Sequence, residues 1–266
     1  MKKIYIFNLI ILALCFNFSV TAQPEWSVVG NAGFSSGRAD NLSLAFSPNG
    51  EPYVAYAPFG NTGKISVNKF SSGTWSIAGN PDFSAGYAED ISLAFNPVSG
   101  EPYVAFMDYG NSYKATVMKL AHGSNTWVNV GPAGFTTSTA AHTSLAFSSS
   151  GEPYVAFSDM SLGNKATVMK FSNNHWVFAG TPGFTAGMAE YTCIAFDPSN
   201  NTPYIAFQDH NQPPAKVTVM KLINNIWVNA GSPGFSQHEV FELSLAFNPV
   251  SHEPYLAYID HPAQTL

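Results

Sequence analysis

Five stretches of the chain carry side chains able to do chemistry at two adjacent, matching positions. They are Asp40 and Asn41, Glu89 and Asp90, Ala141 and His142, Glu190 and Tyr191, and Phe241 and Glu242. Two residues before the first of each pair stand Arg38, Tyr87, Thr139, Met188 and Glu239. The sequences around these sites are nearly the same, yet these residues differ from copy to copy. Positions that repeat serve the scaffold, whereas positions that vary are free to specify a ligand. Acids mixed with aromatics suit a polyol, through carboxylate hydrogen bonds and ring stacking. The candidate binding residues are therefore Arg38, Asp40, Tyr87, Glu89, Asp90, His142, Glu190, Tyr191 and Glu242. The plain alternative is drift on an exposed loop. Paired carboxylates also serve glycoside hydrolysis when they lie about 5–10 Å apart.

Other chemistry is sparse. There is no H-x-x-x-H, C-x-x-C or G-x-S-x-G pattern. The seven histidines share no common repeat position. "DYGNSYK" lacks the acidic spacing of a calcium loop. No catalytic residue, metal ligand or cofactor is assigned. Asp108, Asp159, Asp209 and Asp260 recur at the end of one strand, with Lys114, Lys165 and Lys216 six or seven residues further on. They read as hairpin ion pairs, with an acidic rim for a cation or sugar as the alternative. Glu51, Glu101, Glu152 and Glu253, each before a proline, read as structural.

The elements that position these residues follow from an internal repeat. Trp26, Trp75, Trp127, Trp176 and Trp227 mark five copies. After each tryptophan come a "GF" loop, an "SLAF" segment and an "EPYVAF" segment, and in four copies a "KATVMK" segment. "EPYVAF" sets Tyr103 and Ala105 on one face and Val104 and Phe106 on the other. Period two with β-branched and aromatic residues marks strands. Four short strands in about 50 residues make the blade of a β-propeller. Small residues on one blade then receive Leu and Phe from the next, and a ring hides both faces of each sheet. The expected fold is all-β, a propeller of four-stranded antiparallel blades, about five in this chain. An open β-solenoid fits less well.

The pattern W-x-x-x-G, S-L-A-F-x-P, G-E-P-Y-V-A-F-x-D, K-A-T-V-M-K-F resembles the β-propeller repeats of secreted bacterial cell-surface proteins, from Trp26 onward. Five Trp-bearing repeats also resemble five-bladed lectin propellers, by count only. The resemblance implies fold far more than activity.

The fifth copy has no "KATVMK" segment, so its blade is incomplete. Residues 26–30, "WSVVG", correspond to the outermost strand of a blade. An outer strand without its inner neighbour has no partner. A fragment of a larger propeller is the favoured reading, and a five-bladed ring with a defective last blade is the other.

Residues 1–22 read as a signal peptide. Lys2 and Lys3 precede an apolar run from Ile4 to Phe16, and "VTA" ends at Ala22. Residues 23–266 then form the repeat domain, on a secreted protein or the outer face of the cell surface. Cys193 is the lone cysteine of that domain, so packing must stabilise it. It stands where other copies have serine and reads as a small buried side chain. Without Lys2 and Lys3, nine cations face seventeen anions. Nucleic acid is excluded as a partner, because phosphate binding needs a basic face. No segment of the repeat domain is long and apolar enough to span a membrane. The expected function is binding, of a glycan or a surface protein, through the loop face. The alternatives are a propeller-fold glycosidase or lyase and a structural module of a larger exported protein.

Overall fold

The computed structural model describes residues 26–35, 37–58 and 62–262. The leader expected at residues 1–22 lies outside them. The first blade is a meander of β1 (Ala39–Phe46), β2 (Pro52–Pro58), β3 (Ser66–Ser71) and β4 (Thr74–Ile77). The second holds β5 (Ala88–Phe95), β6 (Pro102–Asp108), β7 (Lys114–Leu120) and β8 (Trp127–Asn129). The third holds β9 (Ala140–Phe147), β10 (Pro153–Asp159), β11 (Lys165–Ser172) and β12 (His175–Phe178). The fourth holds β13 (Ala189–Phe196), β14 (Pro203–Asp209), β15 (Lys216–Ile223) and β16 (Ile226–Asn229). The last sheet has two strands, β17 (Glu239–Phe247) and β18 (Pro254–His261). Every pairing is antiparallel. The expected propeller architecture holds, with its incomplete fifth blade.

The blades pack through the small-into-large contact that the alternation implied. Ala55, Ala57, Ile65 and Val67 of the first blade meet Leu93, Phe106, Met118 and Trp127 of the second. The same arrangement joins the second blade to the third and the third to the fourth. Phe106, Phe157 and Phe207 are fully buried at equivalent places. Each such side chain contributes roughly 1.5–3 kcal/mol on leaving water.

The repeated tryptophan also ties neighbouring blades. Trp127 stacks on Phe83, in the loop that carries "GF" in the other copies, with centroids 4.5 Å apart, and its Nε1 donates to the Ala78 carbonyl at 2.9 Å. Trp176 does the same with Phe135 and Val130, and Trp227 with Phe184 and Ala179. In three copies the hydroxyl after "GF" then accepts a backbone N–H at or next to the start of a third strand. Thr136 accepts from Ala115, Thr185 from Ala166 and Ser236 from Val217. These bonds hold the inter-blade loops against the strand 2–3 turns on one face.

The arc has two uncovered ends. Leu44 is 60% exposed, whereas its equivalents Leu93 and Leu145 are 6% exposed. Among the described residues no sheet packs in front of β1. At the other end Tyr255 is 59% exposed, against 7% for its equivalent Tyr103.

One expectation needs correction. Asp108, Asp159 and Asp209 are buried turn caps and not partners of lysine. Asp108 accepts from the Gly110 N–H, the Asn111 amide and the Thr116 hydroxyl. Asp209 accepts from the Asn211 N–H and the Thr218 hydroxyl. Lys114 lies opposite Asp108 in the ladder, but the carboxylate turns inward to satisfy backbone and hydroxyl donors. The lysines at the far end of the third strand pair instead with the glutamates before proline: Lys119 with Glu101 at 3.0 Å and Lys170 with Glu152 at 3.7 Å.

Candidate functional site

The site begins with a repeated backbone irregularity. Each innermost strand carries a β-bulge near its start, between Asp40 and Ser43 in β1 and between Glu89 and Ser92 in β5. The bulged residues are Asn41, Asp90, His142, Tyr191 and Glu242, with φ between 49° and 55°. Asparagine and aspartate tolerate this left-handed region, whereas a tyrosine or glutamate there is costly and is kept where surroundings enforce it. Bulges re-aim side chains. Here they turn Asp90, His142, Tyr191 and Glu242 into one cavity.

That cavity has a volume of about 490 Å³, within the range of small-molecule sites. All five inner strands line it. Its lower wall is the row Ser43, Ser92, Ser144, Cys193 and Ser244. The row is structural as well. Ser43 Oγ accepts the Leu93 N–H at 2.9 Å, Ser92 the Leu145 N–H at 2.9 Å and Ser144 the Ile194 N–H at 3.1 Å. Cys193 takes the Leu245 N–H in the same way, and burial pushes its thiol up to about 12.

Above this row a second set of bonds crosses the blades. Asp90 Oδ2 accepts the His142 N–H at 2.6 Å. The Thr143 hydroxyl donates to the Asp90 carbonyl, and the Thr192 hydroxyl to the His142 carbonyl. The His142 and Tyr191 rings lie 4.9 Å apart. Burial raises the Asp90 carboxyl above its ordinary value, His142 opposes this, and Glu89 and Glu242 add to it. Burial likewise raises the Tyr191 hydroxyl, followed by Glu242, Glu190 and Asp90. The mouth is therefore a pocket of carboxyl, imidazole and phenol groups with a polar floor.

The nine candidate residues divide into two sets. Asp90, His142, Tyr191 and Glu242 share the cavity. Arg38, Asp40, Tyr87, Glu89 and Glu190 do not line it and form its outer rim. Arg38 pairs with Asp40 at 3.0 Å. The Tyr87 ring meets Tyr109 edge-on at 4.9 Å, and the Tyr109 hydroxyl donates to Glu89 Oε2 at 2.8 Å. Glu190 contacts His210 Nε2 at 3.0 Å.

Sequence reasoning missed the partners of the rim: Tyr109, Tyr113, His210, and the His238–Asp260 pair at 2.8 Å. Tyr109, Met160, His210 and His261 all follow the aspartate that closes a second strand. Their variation was the available signal. Among the described residues, no three His, Cys, Asp or Glu side chains converge as a metal site. No described helix is long and apolar enough to cross a membrane.

No protein-family model matches this chain, and no curated protein does. Solved structures match it as a fold. A protein of unknown function from Dyadobacter fermentans superposes with a TM-score of 0.56 at 14% identity, over 83% of this chain and 74% of that one. AofleA from Arthrobotrys oligospora gives 0.63 at 11% identity, over 84% of this chain and 66% of its own. An endo-arabinase from Bacteroides thetaiotaomicron gives 0.53 at 12% identity, over 87% and 92%. At these identities the likeness establishes the β-propeller fold.

Proposed function

We propose that this protein is exported and binds carbohydrate at the mouth of its propeller channel. The carrying observation is the convergence of Asp90, His142, Tyr191 and Glu242, all on left-handed bulges, around one polar cavity. A sugar offers hydroxyls for the carboxyls and the imidazole, and a C–H face for the Tyr191 ring. The outer rim of Tyr87, Tyr109 and Glu89 continues the same chemistry away from the axis. A chain of sugar units suits such a surface better than a flat protein patch. Two propellers of this fold are named as an endo-arabinase and an endo-1,4-β-xylanase, which supports a carbohydrate over a protein ligand. Export rests on the basic start, apolar run and small-residue site within residues 1–22.

Titration calorimetry with arabinan and xylan oligosaccharides tests the reading. Binding is expected, weakened at least tenfold by Tyr191→Ala. Absence of binding across a broad glycan array would reject it.

Glycoside cleavage is the second reading. The two neighbours named as an endo-arabinase and an endo-1,4-β-xylanase support it more directly than they support binding alone, and so does the Asp90 carboxyl, raised by burial and by Glu89 and Glu242. A carboxyl raised by burial beside other acids is the kind of group that general acid catalysis uses. Against it, the Asp90 carboxylate already holds the His142 N–H. Release of reducing sugar from the same oligosaccharides, abolished by Asp90→Asn, would favour cleavage over binding alone.

A further inference from the structure

The rim over the second blade carries three tyrosines that the third and fourth blades lack. Tyr87 ends the loop arriving from the first blade, while Tyr109 and Tyr113 bound the turn between β6 and β7. The matching residues are Thr139, Met160 and Asn164 in the third blade and Met188, His210 and Ala215 in the fourth.

Two glycines bring these tyrosines together. Gly86 and Gly110 meet backbone to backbone, so close that neither position has room for a Cβ. The Tyr109 N–H then donates to the Tyr87 carbonyl at 3.1 Å. The Tyr109 ring stands edge-on to Tyr87 at 4.9 Å and to Tyr113 at 4.4 Å. Its hydroxyl donates to Glu89 Oε2 at 2.8 Å, which fixes the ring. Glu89 directly precedes Asp90 of the channel cavity, so the cluster begins at the cavity's edge.

Tyr113 separates a structural role from a functional one. Its φ is 62°, in the left-handed region, and it is 47% exposed. The third blade builds the same turn with Asn164 at a φ of 58°. The backbone bonds match as well. Tyr113 donates to the Asp108 carbonyl and accepts from the Ala140 N–H, as Asn164 donates to Asp159 and accepts from Ala189. Asparagine suits that region, whereas a bulky ring there is costly. The turn therefore has no need of tyrosine, and an exposed ring held at a cost points to a use outside folding.

We infer that Tyr109 and Tyr113 form an outer stacking subsite for a glycan chain, one unit of which fills the channel cavity while its neighbours lie on these rings. The inference rests on the carbohydrate reading and narrows the ligand from any sugar to an oligosaccharide. Each exposed ring face covers the C–H face of a sugar, and Glu89 keeps acceptor capacity beyond the Tyr109 bond for a hydroxyl between cavity and rings. The third and fourth blades offer no tyrosine at these places, so the chain leaves the mouth over the second blade.

Titration calorimetry with xylan and arabinan oligosaccharides, graded from disaccharide to hexasaccharide, tests it. Affinity is expected to rise at least tenfold with length in the parent. Tyr113→Asn is expected to lose at least fivefold for the hexasaccharide and to stay within twofold for the disaccharide. Its melting temperature is expected to match or exceed the parent's, since it installs the residue of the third blade. Tyr113→Phe keeps the ring and is expected to stay within twofold at every length. Affinity independent of length, an equal loss for Tyr113→Asn at all lengths, or a lower melting temperature for that variant would overturn the subsite while leaving sugar binding in place. Absence of binding to both series and across a broad glycan array would overturn the carbohydrate reading and the subsite with it.

Discussion

Asp90 Oδ2 sits 2.6 Å from the backbone nitrogen of His142, one blade further round the propeller. A carboxyl of the candidate site is thus fastened to the backbone of the next blade at its bulged residue. Site and ring geometry are coupled there, so Asp90 can be tested through stability as well as binding.

Burial and two neighbouring acids raise the folded-state value of Asp90 above the ordinary 3.8. A raised acid binds its proton more tightly folded than unfolded. Its contribution to stability is full below the unfolded value and is lost as pH rises through the folded one. Asp90→Asn keeps an oxygen for the His142 N–H and carries no charge. It is expected to match or exceed the parent in melting temperature at pH 7, with the advantage gone at pH 3. Asp90→Ala strands the N–H and is expected to cost about 1–3 kcal/mol at pH 7. Thermal melts of the three proteins across pH check both.

Asp108 and Lys114 face one another across a ladder but do different work. Asp108 is 1% exposed and caps its turn through three donors. Asp108→Ala leaves the Thr116 hydroxyl and the Gly110 N–H unsatisfied and is expected to cost about 2–4 kcal/mol in urea unfolding, from roughly 1–3 for each buried group left unpaired. Lys114→Ala is expected to stay within about 0.5 kcal/mol. Similar losses for both would restore the ion-pair reading.

Cys193 is a thiol in the place of a serine, accepting a neighbour's N–H and pushed up to about 12 by burial. The thiolate is the reactive form. Folded protein is expected to resist a thiol-specific disulfide reagent at pH 8 over a time in which unfolded protein reacts fully. Fast labelling of the folded form would mean that the channel floor is open to reagent.

The fold was legible because its forces are local and periodic. Trp127 announces the repeat, and the alternation of Ala105 with Phe106 announces two buried faces. Asp90, His142, Tyr191 and Glu242 were legible as a site because they vary where the scaffold does not. The division between cavity and rim was not. Glu89 and Asp90 are adjacent, and only the bulge decides which turns to the axis. Tyr109 and His210 escaped notice because they reach Glu89 and Glu190 from the turn after the second strand, a contact of register and not of motif. The Asp108 misreading has a similar cause. Cross-strand adjacency was right, but an aspartate before a tight turn satisfies backbone donors first.

Leu44 and Leu93 occupy one repeat position in two environments, and comparing them tests the open arc directly. Leu93 is 6% exposed, in the core between the first two blades with Phe106 and Ala55. Leu93→Ala removes buried methyl groups and leaves a cavity, so a loss of about 2–5 kcal/mol is expected. Leu44 is 60% exposed on the uncovered face of β1. Leu44→Ala is expected to change stability by less than about 1 kcal/mol. Urea unfolding of both variants at matched concentration reads the difference. A large loss at Leu44 would mean that something covers this face in solution, and repeating the melt over a hundredfold range of concentration would separate a second copy, which responds, from the chain's own residues, which do not.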